Sequence, residues 1–165
     1  MLVRRRADLH AALGHEGAYL PHDREEGHAA DITLEYSRPF RALKLWLALR
    51  VHGADAFRAA IERNLEQARL LHAAVLERPD LEPLPAAPQL SIVPFRHAPP
   101  GVDDLDAHNA AIVHRLQEGG EFWVAHARID SRVYIRPCIV NFRTDDADVL
   151  AFVEHVDRLG RALLP

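Results

Sequence analysis

Phe122-Trp123-Val124-Ala125-His126-Ala127-Arg128-Ile129-Asp130-Ser131-Arg132-Val133-Tyr134-Ile135-Arg136-Pro137-Cys138-Ile139-Val140 sets two largely apolar runs around a short polar break. Phe122 to Ile129 and Val133 to Val140 each read as a strand, and the short Asp130-Ser131-Arg132 segment between them predicts a hairpin. Alternation along the second strand puts Val133, Ile135 and Pro137 on one face and Tyr134, Arg136 and Cys138 on the other. Upstream, Leu90 to Phe95 reads as a strand. Asp103 or Asp104 then caps a helix through Leu105, Ile112 and Leu116 that Gly119-Gly120 terminates. Downstream, Thr144 caps a last helix whose apolar stripe is Val149, Phe152, Val153, Val156, Leu159 and Leu163. The order β-α-β-β-α over residues 89–164 predicts an α+β domain, a small antiparallel sheet with helices on one face.

The first half of the chain reads differently. Met1 to Arg4 suits a short strand, followed by a helical turn through Leu9 and Leu13. From Gly14 to Ile32 the pattern lapses into Gly, His, Asp, Glu and Pro, with Tyr19 and Leu20 as its large apolar residues. A loop of that length is usually functional or disordered. Ser37 suits an N-cap and Pro39 the first helical turn, where its missing N–H costs nothing. Phe40, Leu43, Trp46, Leu47 and Val51 follow at helical spacing until Gly53 interrupts. A second, longer helix carries Phe57, Ile61, Leu65, Ala68, Leu71 and Val75 along one stripe. Pro79, Pro83, Pro85 and Pro88 end it and make a stiff connector. Three segments are therefore expected: 1–36 with the loop over about 14–32, connecting helices and connector over 37–88, and the small domain over 89–165.

Composition narrows the function classes. The 165 residues suffice for one domain with a real core, and 48% hydrophobic with 27% charged residues is ordinary for a globular chain. A net charge of −4 points to neither nucleic acid nor an anionic membrane as partner. Of the 20 basic residues all but Lys44 are arginine, and acidic residues are interspersed among them. The lone Cys138 has no partner for an internal disulfide, which fits a reducing cytosol. No run approaches the roughly 20 apolar residues of a membrane span, and the opening residues lack the apolar stretch of a signal peptide. A soluble, cytoplasmic protein is expected. Eleven histidines raise the question of metal, but their spacing shows no His-x-x-x-His pair on a helix, and no zinc site is expected.

Two motifs and a loop residue carry a family resemblance. Arg38-Pro39-Phe40-Arg41-Ala42-Leu43-Lys44-Leu45-Trp46 resembles the helix-start motif of the pyridoxal-phosphate amino-acid decarboxylases of the aromatic-amino-acid and glutamate group, with Pro39 where the family usually has a second arginine. Val133-Tyr134-Ile135-Arg136, continuing through Cys138 to Thr144, is similar to the family's strand, arginine, Asn-x-x-Thr turn and C-terminal helix. Tyr19-Leu20 stands about 20 residues before the first motif, where the family carries a mobile catalytic loop. The resemblance implies the C-terminal small domain of a fold-type I enzyme, with its connecting helices.

It also implies roles. Tyr19 would protonate the substrate Cα after decarboxylation, a phenol acting as general acid on a closing loop; read without the family it is an ordinary surface tyrosine. Arg136 would bind the substrate α-carboxylate with its planar fork; the alternative is a salt bridge to a nearby Asp or Glu. Arg38 and Arg41 suit dimer or phosphate-loop contacts, or ion pairs anchoring the helix. Asn141 and Thr144 belong to turn and cap chemistry.

One absence shapes the whole reading. The family's Schiff-base lysine lies upstream of the first motif, and no lysine precedes Lys44 here. Lys44 matches a different lysine of that motif, at the side of the apolar stripe, and is expected on a helix surface or interface. No Gly/Ser-rich phosphate loop is visible either. The expectation is the C-terminal part of a decarboxylase that uses pyridoxal phosphate when complete, binding no cofactor and inactive alone. The alternative is a non-catalytic α+β module kept for binding or oligomerisation. Phe40, Leu45, Trp46, Leu47 and Leu49 spread over more than one helix face, so a homo-oligomer, or a complementary large-domain polypeptide, is the expected partner.

Overall fold

A computed structural model describes residues 3–14, 32–34 and 39–164. The chain divides into two compact units, Met1–Val51 and His52–Pro165.

In the first unit, helix α1 (Arg6–Leu13) buries none of its residues. Val3, Arg4 and Arg5 are not extended into a strand, so the expected strand is absent there; Met1 and Leu2 lie outside the described residues. Arg5 instead makes two hydrogen bonds, 3.1 and 2.8 Å, to the Asp8 carboxylate and braces the first turn. Helix α2 (Arg41–Leu76) starts in this unit. Its first turns are apolar yet open to solvent: Phe40, Leu45, Trp46 and Val51 are all exposed. Ser37 and Arg38 fall outside the described residues. Gly53, at φ 77 and ψ 160, breaks the helical dihedrals of α2, where the sequence pattern lapses and a side chain would be strained.

In the second unit the remainder of α2 buries Gln67, Ala68, Leu71, Ala74 and Val75. Ile61, expected on the same stripe, is exposed. Strands β1 (Leu81–Pro83), β2 (Phe95–His97), β3 (Ala125–Ile129) and β4 (Arg132–Arg136) form one antiparallel sheet in the order β1-β2-β4-β3. The α+β class is as the sequence implied, with three adjustments. β1 comes from the span read as connector; a proline in it is tolerated because β1 is an edge strand. β2 begins later than expected, since Pro94 cannot donate to a ladder and Ile92 makes only an isolated bridge to Cys138. β3 starts at Ala125, because the Val124 carbonyl accepts from Gln117 Nε2 at 2.7 Å, and β4 stops before Pro137.

The hairpin turn is two residues long. Asp130 and Ser131 have φ of 47 and 65, and Ile129 pairs with Arg132; both central residues left-handed is the geometry that matches strand twist. Helix α3 (Leu105–Gly119) is capped by Asp104, whose side chain accepts from Asp106 N and Ala107 N, and it ends at Gly120 with φ 72. Helix α4 (Asp146–Ala162) is capped by Asp145, not by the expected Thr144. The reason is a capping box: Asp145 Oδ1 accepts from Asp148 N at 2.9 Å, and Asp148 Oδ2 accepts from Asp145 N at 3.0 Å.

The core lies where α3 and α4 meet the sheet face bearing Phe95 and Ile135. Ile112 and Leu116 come from α3, and Phe152, Val153 and Val156 from α4. The Phe152 ring meets Phe95 and Phe122 edge-on at 6.1 and 5.5 Å between centroids. Each such side chain contributes about 1.5–3 kcal/mol by burial. Among the described residues no helix is long and apolar enough to cross a membrane.

Candidate functional site

Arg136 ends β4, opposite Ala125 of β3. Val133, Ile135, Pro137 and Ile139 are buried, while Tyr134, Arg136 and Cys138 alternate to the other face, as the strand periodicity required. Tyr134 is covered there by the Arg96 guanidinium, 5.5 Å from its ring centroid. Arg96 is itself buried and donates from Nη2 to Asp106 Oδ1 at 2.7 Å. That carboxylate also accepts from Val133 N at 2.9 Å and lies 3.4 Å from Arg128 Nη1. Asp106 thus ties the start of α3 to β2 and β4. The buried Arg96 guanidinium is thereby paired with a carboxylate.

Arg136 is placed otherwise. It is half-buried, and its Nη1 donates to Cys138 Sγ at 3.0 Å. Among the described residues no carboxylate lies within ion-pair distance of it. A thiol is a weak acceptor, so the guanidinium keeps most of its capacity for a planar, charged ligand.

The other sequence candidates are scattered. Tyr19 lies outside the described residues. Lys44 is exposed on α2, as expected of a helix surface. Asn141 is a turn residue, its Oδ1 accepting from Arg143 N at 3.0 Å and its carbonyl from Thr144 N at 3.1 Å. The Thr144 carbonyl accepts from Gln67 Nε2 at 2.7 Å, a buried amide that sequence reasoning passed over as one more residue on a helix.

Sequence reasoning also missed a polar cluster beneath the sheet. His97 is fully buried, its backbone clasped by Asn109: His97 N donates to Oδ1 at 2.8 Å and Nδ2 donates to the His97 carbonyl at 2.9 Å. Its Nδ1 is 2.8 Å from His108 Nε2. Burial, then the neighbouring His108, lowers the His97 pKa against the opposing pull of Asp157 and Asp80, with Arg161 lowering it further. Burial lowers that of His108. The only signal for this cluster was a histidine at the inward register of β2, and the expected strand stopped at Phe95, short of it.

Comparison with known proteins follows this geometry. Residues 1–98 match the pyridoxal-dependent decarboxylase conserved domain. The chain is 33% identical over 130 residues to an aromatic-L-amino-acid decarboxylase of Bacillus atrophaeus, covering 77% of this chain and 27% of that one. It is 27% identical over 168 residues to the enzyme of that name from Sus scrofa, covering 99% and 33%. Among solved structures, Oryza sativa TDC with PLP and tryptamine superposes with a TM-score of 0.80 at 21% identity, covering 94% of this chain and 34% of that one. Catharanthus roseus tryptophan decarboxylase in complex with L-tryptophan gives 0.72 at 21%, covering 81% and 29%. The structural likeness speaks for the fold. The chain spans about a third of the length of the curated relatives it matches.

Proposed function

The chain belongs to the pyridoxal-dependent decarboxylase family, and from that premise we propose that it is the C-terminal part of an amino-acid carboxy-lyase, with Arg136 binding the substrate α-carboxylate and Tyr19 delivering a proton to Cα. The observation that carries this reading is Arg136 itself: half-buried on a rigid central strand, and without a carboxylate partner among the described residues. Its backbone is held by β3 at Arg136 and by β2 at the adjacent Ile135, so the guanidinium reaches out from a fixed point on the sheet, and its planar fork suits a bidentate anion. In this reading residues 1–36 bring the proton-donating loop, 37–88 the connecting helices, and 89–165 the small domain.

The described residues do not suit the cofactor. Lys44 is exposed, and α3 and α4 open with Asp104, Asp106, Asp145, Asp146 and Asp148. Carboxylates at a helix N-terminus repel a phosphate instead of cradling it. The covalent lysine and the phosphate cradle then come from residues beyond those described, and the chain alone is inactive. Its partner is a complementary large-domain polypeptide or a further copy of the chain in a complete assembly.

The test is reconstitution. The chain is mixed with a large-domain polypeptide bearing the cofactor lysine, pyridoxal phosphate and amino acids, and carbon dioxide release is measured. Arg136→Gln removes a charge-assisted pair worth about 1.5–3 kcal/mol, so kcat/KM should fall roughly 10- to 100-fold. Tyr19→Phe should abolish turnover with cofactor absorbance intact. Unchanged turnover in both variants refutes the reading, and failure of any such polypeptide to associate favours the non-catalytic module.

A further inference from the structure

We propose that Asp80, His97 and Asp157 form a binding site for one first-row divalent metal ion of the Zn2+ class, joining the turn before β1, the end of β2 and the middle of α4. One ligand atom from each residue lies within 4.8 Å of the other two. The cluster has a feature that ordinary carboxylate groups lack. His97, 0% exposed, has no hydrogen-bond partner for Nε2, and Asp157 Oδ1 is likewise buried without one. These two atoms face each other at 3.9 Å, too far for a hydrogen bond. Two unsatisfied buried polar atoms aimed at one point cost free energy unless something joins them.

A metal ion is the occupant that suits these donors. Imidazole nitrogen and carboxylate oxygen bind Zn2+ at about 2 Å, with a fourth position left for water, so the donors need to close by about an ångström or less each. Coordination needs a neutral imidazole with Nε2 unprotonated, and among the described residues no acceptor lies within hydrogen-bond distance of that nitrogen to hold a proton there. The proton then sits on Nδ1, which donates to His108 Nε2 at 2.8 Å. A ligating histidine that donates its other ring N–H to a fixed acceptor is the arrangement that orients a metal ligand.

The neighbouring arginines set the affinity. Arg161 Nη2 lies 3.1 Å from Asp157 Oδ2 and 3.7 Å from Asp80 Oδ2, and Arg78 Nε lies 3.8 Å from Asp157 Oδ2. Arg161 pairs with Oδ2 of Asp157 and Arg78 stands at ion-pair distance from the same oxygen, so Oδ1 is left facing His97. They also neutralise the two carboxylates, so an incoming dication is opposed by two positive charges. Arg161 is 56% exposed and can swing aside. The site is therefore a tuned one: its own arginine competes with the metal.

The experiment titrates chelator-treated chain at neutral pH with Co2+, reading its visible d–d absorption, and then displaces the Co2+ with Zn2+. One saturable equivalent is expected, with a rise in Tm because the ion ties three elements together. Asp80→Asn, at a partly exposed position, keeps the fold and should weaken binding by at least about tenfold. Arg161→Gln should tighten it several-fold, a direction that a purely structural role for Arg161 does not produce. Absence of a saturable equivalent overturns the proposal, and binding unchanged in Asp80→Asn, His97→Gln and Arg161→Gln alike overturns it by assigning the metal to other residues.

Discussion

Gly160→Ala reverses the usual sign of a glycine-to-alanine change in a helix. Gly160 is fully inside α4, so propensity alone favours alanine by about 1 kcal/mol. A Cβ at this position would meet Cδ2, Cγ and Nδ1 of His97 at 2.6 Å, closer than van der Waals contact permits. The ring cannot step back cheaply. Its Nδ1 is engaged with His108 and its backbone is clasped on both sides by Asn109. Overpacking of that kind costs roughly 1–3 kcal/mol, with the displaced His97–His108 contact adding about 1 kcal/mol. The net expectation is destabilisation of about 1–3 kcal/mol. Urea unfolding followed by circular dichroism measures it as a lower midpoint at constant slope. The same change in a His97→Ala background should become neutral or stabilising, because the obstacle is gone. A stabilising Gly160→Ala in the wild-type background refutes the packing argument.

Two further changes probe the scaffold around Arg136. Asp106→Ala strands the buried Arg96 guanidinium and the Val133 amide; loss of a charged hydrogen bond and a backbone one should cost about 2–4 kcal/mol, read as a shift in denaturation midpoint, and a cost below about 1 kcal/mol would remove Asp106 from this role. Asp145→Ala should cost about 1 kcal/mol through loss of the capping box, while Thr144→Ala should be near neutral because its recorded contacts use backbone atoms; equal effects at the two positions would contradict the assignment of the cap.

What the sequence revealed of the fold depended on whether the signal was local. The hairpin, the Asp103 or Asp104 cap of α3 and the stop at Gly119-Gly120 are written in adjacent residues; the structure selects Asp104 and Gly120 and shortens the turn from Asp130-Ser131-Arg132 to Asp130-Ser131. The cap of α4 was one residue out because Thr144 and Asp145 both satisfy the same preference, and only the reciprocal bond from Asp148 chooses between them. β1 was hidden because Leu81-Glu82-Pro83 has no periodicity to show; it is a strand only because Arg96 and its neighbours stand beside it. The site divides along the same line. Arg136 was legible from alternation on one strand, whereas the contact of Asp80, His97 and Asp157 joins positions far apart in sequence and depends on Gly160 leaving room for a ring.

That division bears on how Arg136 is held. Arginine on a strand face is usually fixed by a carboxylate, which also consumes its charge. Here the fixing and the charge are separated. β4 is central, paired to β3 along its length and to β2 at Ile135, and Asp106 pins its second amide, that of Val133. Tyr134, two residues before Arg136 on the same strand face, is clamped under Arg96, whose own charge is spent on Asp106. The strand is therefore rigid at the expense of Arg96, and Arg136 is left to a thiol at 3.0 Å. Exchanging a sulfur acceptor for a carboxylate strengthens the bond and adds charge complementarity. If Arg136 has the role proposed for it, the Arg96–Asp106 pair supports that role indirectly, by holding the strand that carries it.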